Sequence, residues 1–221
     1  MEEISKEHIS EWSTKAAQEA FDLIKSNILS QPPQQPKMVD LGCGNGSLMQ
    51  RCQQLGFTVV GVDVSEIALR ICREKGLPVV QHDLNQFLPF KDKEFDLIAC
   101  VEVVEHLFNP AAFLGETRRV LKDNGFLVIS APNEYEWLQR LRFLLGKPID
   151  WQPWSATTHL HKSSLGQFAG FLTEEGWDIN RLRPFMLSGS AHLPVRLQKI
   201  LISLFPNLFA GYTIAMVRKR K

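Results

Sequence analysis

Charge of one sign is what this chain has least of. Its 25 lysines and arginines face 24 aspartates and glutamates, for a formal net charge of +1. That balance argues against the broad basic footprint that nucleic-acid binding demands. The one basic run, Arg218-Lys219-Arg220-Lys221, reads as a solvated tail. Cysteine is also sparse. Cys43, Cys52, Cys72 and Cys100 form no C-x-x-C pair, and their spacing suits neither a zinc site nor a disulfide framework. They read as thiols in a reducing compartment. No apolar run reaches membrane-spanning length. Met1-Glu2-Glu3-Ile4 is acidic where a signal core would be apolar. The expectation is a cytoplasmic protein. There are no internal repeats and no low-complexity stretch beyond Gln31-Pro32-Pro33-Gln34-Gln35-Pro36. Nothing in the sequence fixes an oligomeric state.

What is present is an ordinary globular composition, 44% apolar and 22% charged, over 221 residues. That length fits one domain with a single large core. Ile9, Trp12, Ala16, Ala20, Leu23, Ile24 and Ile28 can share one face of a first helix, within residues 1–30. The proline cluster stops it. Short apolar strands then alternate with helices. Strands are expected at 37–41, 57–62, 77–81, 95–101 and 126–130. Helices are expected at 47–55, after Ser65 as a cap, and from Asn109-Pro110 to Lys122. This rhythm predicts an α/β fold: a doubly wound, mostly parallel sheet with helices on both faces. The later chain is less regular. It reads as a helix over 135–145, another over 163–175 closed by Gly176, a strand over 177–183, an apolar insertion over 184–207 and a last strand over 212–217. The whole is expected to form a single domain, with a core at 37–133 and acceptor-side or lid additions at 134–176 and 184–209.

Gly42, Gly44 and Gly46 follow the first strand of that core and open a helix. Glycines there allow a tight turn and close approach of a ligand to the backbone. Their G-x-G-x-G spacing differs from the G-x-G-x-x-G of dinucleotide sites. Asp40 stands just before the turn, where a carboxylate welcomes an ammonium more readily than a pyrophosphate. Asp63 ends the second strand, about 20 residues beyond the glycines, placed for two ribose hydroxyls. Asp83 follows the third strand and can accept a hydrogen bond from an adenine amino group. The set favours an adenosyl amino acid without phosphates, and disfavours a nicotinamide oxidoreductase.

With these pieces in place, the chain resembles the class I, Rossmann-like S-adenosylmethionine-dependent methyltransferases. The matching segments are Val39 to Gly46, Val60 to Asp63, His82 to Leu84, Phe95 to Leu107 and Leu121 to Asn133. The resemblance implies a seven-stranded sheet with its last strand antiparallel, and S-adenosyl-L-methionine as cofactor. It implies that Asp40, Gly42 and Gly44 line the methionine part, with Gly46 completing the turn. Asp63 would hold the ribose, Val64 would lie beside the adenine, and Asp83 and Leu84 would read its edge. Cys100, Val101 and Glu102 would pass under the methionyl group.

Methyl transfer from a sulfonium needs alignment and desolvation more than a catalytic triad. The candidate chemistry lies in Glu102-Val103-Val104-Glu105-His106. In a helical turn Glu102, Glu105 and His106 would share a face. This E-x-x-E-H pattern resembles that of ubiquinone-pathway O-methyltransferases and of small-RNA 2′-O-methyltransferases. In some of these it holds a divalent cation such as Mg2+, while in many relatives it only shapes the pocket floor. The expectation here is no metal, with the three residues as the ligand set if one binds. His159, in Thr158-His159-Leu160-His161, is a further catalytic candidate. Trp12 and the aromatic stretch from Asn133 to Trp154 suit an apolar or ring-bearing acceptor. The apolar stretch over 193–209 reads as a lid or core helix, with lipid contact as the lesser alternative. The sequence thus points to methyl transfer onto an O or N atom of a small-molecule, lipid or glycan-precursor acceptor. A catalytically idle module of the same fold, or a small-RNA methyltransferase, stands as the alternative.

Overall fold

The structure, a computed structural model, describes residues 3–28, 35–147, 159–187 and 194–221. The side chains of 3–14, 28, 186, 187 and 195 lie outside that description. The elements run α1 (Glu3–Ile28), β1 (Lys37–Leu41), α2 (Ser47–Gln54), β2 (Thr58–Asp63), α3 (Glu66–Glu74), β3 (Val79–Gln81), β4 (Phe95–Cys100) and α4 (Pro110–Val120). They continue with β5 (Leu121–Pro132), α5 (Trp137–Leu144), α6 (Leu165–Glu174), β6 (Trp177–Leu187), α7 (Val195–Leu204), α8 (Pro206–Phe209) and β7 (Ala210–Lys219).

The strands form one seven-stranded sheet in the order β3-β2-β1-β4-β5-β7-β6. β7 runs antiparallel to both its neighbours, while β1 to β5 pair in parallel. The α/β class, the helices on both faces and the antiparallel last strand all stand as expected. Period-two alternation assigns the faces. Val39, Ile98, Cys100, Leu127 and Ile129 pack with Phe113 and Leu114 of α4 and Phe168 and Leu172 of α6. Met38, Leu97, Ala99 and Val128 pack with Ala20, Leu23 and Ile24 of α1, Met49 of α2 and Leu69 of α3.

Local chemistry sets the helix starts. Asn109 Oδ1 accepts from the Ala112 N–H at 3.0 Å. Ser65 Oγ accepts from the Ala68 N–H. Ser164, one residue later than expected, closes a capping box with Gln167.

Several boundaries differ from the sequence reading, and two of them have a clear physical reason. The fourth helix stops at Val120 rather than Lys122, and β5 already begins at Leu121. Leu121 pairs with Phe95, and a register irregularity absorbs Asp123-Asn124-Gly125 before Phe126 pairs with Leu97. A buried leucine on a sheet neighbour outweighs the turn signal of those three residues. The expected insertion from Pro184 is also shorter, because β6 continues through Leu187 against β7. Proline is tolerated there because β6 is the sheet edge.

Candidate active site

The carboxyl ends of β1, β2, β4 and β5 converge where the strand order reverses, beside β1 and β4. After Leu41 the chain turns through Gly42, Gly44 and Gly46, all at positive φ. The N–H groups of Gly42 and Cys43 both donate to the Val62 carbonyl, at 2.8 and 3.0 Å. At Gly42 an added Cβ would stand 2.2 Å from Cγ2 of Val103. Only glycine fits, and the loop after β4 rests on the turn.

Asp40 is 3% exposed. Burial, followed by the charge of Asp63, pushes its carboxyl up to about 7. The Asp63 carboxylate accepts from the Gly44 N–H and the Ser65 N–H, each at 2.9 Å. It therefore locks the turn, and each oxygen retains a lone pair for a further donor. Val64 beside it is exposed. The His82 N–H donates to the Asp63 carbonyl, which brings the end of β3 alongside. Asp83 is exposed, and hydrogen bonds from the backbone and side chain of Asn85 hold its carboxyl below the usual range. Leu84 is buried next to it. Cys100 is buried at the end of β4, and Val101 is half-buried.

The stretch after β4 is not the helical turn that the spacing suggests. Glu102 sits at φ +59, and only a short 3-10 turn, Val104–His106, follows. Glu102 therefore does not share a helical face with Glu105 and His106, although its charge still reaches Glu105. Its N–H donates to Ser130 Oγ at 2.8 Å, and that hydroxyl donates to Glu102 Oε1 at 2.7 Å. The Tyr212 hydroxyl also donates to Glu102. Burial still pushes the Glu102 carboxyl up.

The donor cluster is instead Glu105, His106 and His159, whose ligand atoms lie within 4.8 Å of one another. Glu105 is 2% exposed, and both its carboxylate oxygens are buried with no hydrogen-bond partner among the described residues. Burial, and then the charge of Glu102, push its carboxyl up. The Glu105 carbonyl accepts from the N–H groups of Leu160 and His161, which fixes the His159 segment against the 3-10 turn. The rings of His106 and His159 meet edge to face, 4.9 Å apart. Burial, and then His159, lower the pKa of His106. That of His159 is raised, chiefly by its hydrogen bond to Glu134.

Glu134, Ser130 and Tyr212 escaped the sequence reading. Glu134 lies just past the carboxyl end of β5, the kind of position that singled out Glu102. Ser130 and Tyr212 sit within strands, where no local signal marks them. His161 turns elsewhere, with Nε2 hydrogen-bonded to the Leu107 carbonyl at 2.9 Å. On the acceptor side, Tyr135 and Phe143 are exposed and no residue of α5 is buried. Trp151, Trp154 and the Trp12 side chain lie outside the described residues.

Comparison with known proteins bears on the fold and the family. Residues 39–129 match a family model described as "Methyltransferase domain". The ubiquinone biosynthesis O-methyltransferase of Bradyrhizobium sp. is 38% identical over 101 residues, 44% of this chain and 40% of that protein. The mitochondrial enzyme of the same description from Schizosaccharomyces pombe is 29% identical over 159 residues, 66% of this chain and 57% of its own length. The chain spans about half the length of the curated relatives it matches. A SAM-dependent methyltransferase from Archaeoglobus fulgidus shares the fold with a TM-score of 0.60 at 20% identity, over 90% of this chain and 94% of that one. The family match over residues 39–129, the glycine turn and the shared fold together support a class I, Rossmann-like S-adenosylmethionine-dependent methyltransferase.

Proposed function

We propose that the chain transfers a methyl group from S-adenosylmethionine to a hydroxyl of a small or lipid-like acceptor. The observation that carries this reading is the cluster of buried Glu105, half-buried His159 and exposed His106, the first and last of them on the loop that packs on the glycine turn. Bound S-adenosylmethionine supplies an electrophilic methyl carbon on a sulfonium. The cradle suits it: Asp40 would offer a carboxylate to the ammonium, and the glycines of the turn would admit the ligand to the backbone. Asp63 faces the ribose, and Asp83 with Leu84 the adenine.

The remaining task falls to the chain's own residues. As the acceptor oxygen bonds to the methyl carbon and the carbon–sulfur bond breaks, the hydroxyl proton has to leave. His106, whose pKa is lowered, accepts that proton as a neutral imidazole. His159, steadied by Glu134, stands beside it. The relatives named as O-methyltransferases support a hydroxyl over an amine. The four cysteines, all buried and unpaired, support a reducing, cytoplasmic setting.

Titration calorimetry with S-adenosylhomocysteine and with NAD, followed by a phenol and catechol acceptor screen, tests the reading. Tight binding of S-adenosylhomocysteine and its formation in the screen are expected. NAD binding in its place would overturn the reading. Cofactor binding with no turnover on any acceptor would favour an idle module.

A second reading adds a divalent cation. Glu105, His106 and His159 would hold it, and the partnerless Glu105 oxygens favour it. Glu134 on Nδ1 of His159 leaves Nε2 as the ligand nitrogen, a common outer-shell arrangement. Such an ion would polarise the acceptor hydroxyl. EDTA should then abolish turnover and Mg2+ restore it. Unchanged activity in EDTA removes the ion and leaves the imidazole as base.

A further inference from the structure

On the acceptor side, the chain carries an apolar surface that neither the glycine turn nor the Glu105, His106 and His159 cluster uses. α5 ends with Phe143 and Leu144 and is followed by its C-cap Leu145, which are 68%, 81% and 65% exposed. On α7, Leu197, Ile200 and Leu204 stand three and four residues apart and are all exposed, with Phe205 following. Residues at that spacing form one stripe. Leu201 and Ile202 of the same helix are half-buried against the protein. The helix therefore carries an apolar stripe toward solvent, beside exposed Arg196 and Lys199, where an ordinary surface helix is polar throughout.

The two regions are fastened together. Asn133, buried just past the end of β5, donates through Nδ2 to the carbonyls of Asn207 and Ala210, at 3.2 and 2.8 Å. Arg140 of α5 donates to the carbonyls of Tyr135 and Asn207. α5 and α8 are thus tied to one strand end, with α7 leading directly into α8. Glu134 of the candidate active site lies next to that junction.

The charge on this surface has one sign. Residues 137–147 and 194–209 contain Arg140, Arg142, Lys147, Arg196 and Lys199, and no aspartate or glutamate. In a chain whose charges otherwise balance, that is a local concentration. All but the half-buried Arg142 are exposed. Apolar stripes rimmed by cations complement an anionic bilayer, where acyl chains take the leucines and headgroups take the arginines and lysines. Among the described residues no helix is long and apolar enough to cross a membrane, so the contact is peripheral.

We propose that α5 together with α7 and α8 forms a docking surface for an anionic phospholipid bilayer. Docking itself needs no methyl transfer, so it stands apart from the proposed reaction. The test is co-sedimentation of the full chain with vesicles of phosphatidylcholine and phosphatidylglycerol in equal parts, and with phosphatidylcholine alone. Binding to the anionic vesicles only, released by salt, is expected. The variant L144S/I200S/L204S changes exposed side chains only. It should keep its melting curve and its S-adenosylhomocysteine affinity while losing about tenfold or more in vesicle affinity. K147Q and K199Q should each weaken binding by roughly fivefold. Absence of binding to anionic vesicles, equal binding to neutral ones, or no response to these substitutions would overturn the proposal. So would a dimer in solution that buries this surface and excludes vesicles.

Discussion

Ser130 and Glu102 hold each other through two hydrogen bonds, one from the Glu102 N–H to Ser130 Oγ and one from that hydroxyl back to the Glu102 carboxylate. The pair keeps Glu102 at φ +59, a conformation that non-glycine residues rarely adopt. It anchors the loop that carries Glu105 and His106. Replacing Ser130 with alanine leaves a buried N–H and a half-satisfied carboxyl, at a cost of about 1–3 kcal/mol. Denaturant titration of S130A, E102A and the double variant should show an interaction energy of at least about 0.5 kcal/mol. Strict additivity would mean that the two residues act independently.

Asp40 links stability to pH. Folded, its carboxyl keeps its proton up to about pH 7, whereas unfolded it ionises near the ordinary value of 3.8. Between those values the folded chain binds more protons, so this group's contribution falls as pH rises. Asp40→Asn removes the effect. The variant should gain stability relative to the parent across that window, with the full gain present above it. Urea titrations at several pH values measure this, and a parent–variant difference independent of pH would contradict it. Cofactor binding should run the opposite way. An ammonium favours the ionised carboxylate, so the parent's affinity for S-adenosylhomocysteine should rise through the same window. That of D40N should stay weak and flat.

Gly42 and Gly115 make a paired test of the turn. Gly42→Ala meets both the positive φ and Val103 at 2.2 Å, and should abolish S-adenosylhomocysteine binding. Gly115 lies in α4, with nothing within 4 Å of an added Cβ. Gly115→Ala should stabilise the fold by about 0.5–1 kcal/mol and leave binding unchanged. Calorimetry and thermal melts separate the two. A G42A protein that binds normally would remove the close-approach role of the turn.

The thiols should be inert in the folded state. Burial pushes all four upward, Cys52 to about 12. Few thiolates form near neutral pH, and little sulfur is exposed. A chromogenic disulfide reagent should label slowly in buffer and count four thiols at once in denaturant. Rapid labelling of the native chain would contradict the burial of these cysteines.

The strand and helix rhythm, the glycine turn and the aspartates at or near the ends of β1, β2 and β3 were legible because each rests on short-range chemistry. Asn109 caps α4, and Asp63 ends β2, as their local sequence implies. The site was harder to read. E-x-x-E-H spacing suggests one helical face, but Ser130 holds Glu102 out of that geometry from a strand 28 residues away. Glu134 and His159 meet only because β5 and the segment before α6 end side by side. The turn signal at Asp123-Asn124-Gly125 yielded to the pairing of Leu121 with Phe95.

By itself, then, the sequence determined the α/β order and the three glycines and three aspartates proposed as the cofactor cradle. Those depend on periodicity and on which residues tolerate a positive φ. Only the tertiary structure decided that Glu105 joins His106 and His159, while Glu102 turns to Ser130. It also decided that the apolar stripe of α7 faces outward, beside cations with no anion among them. Those outcomes rest on contacts between distant segments, which the pattern along the chain does not encode.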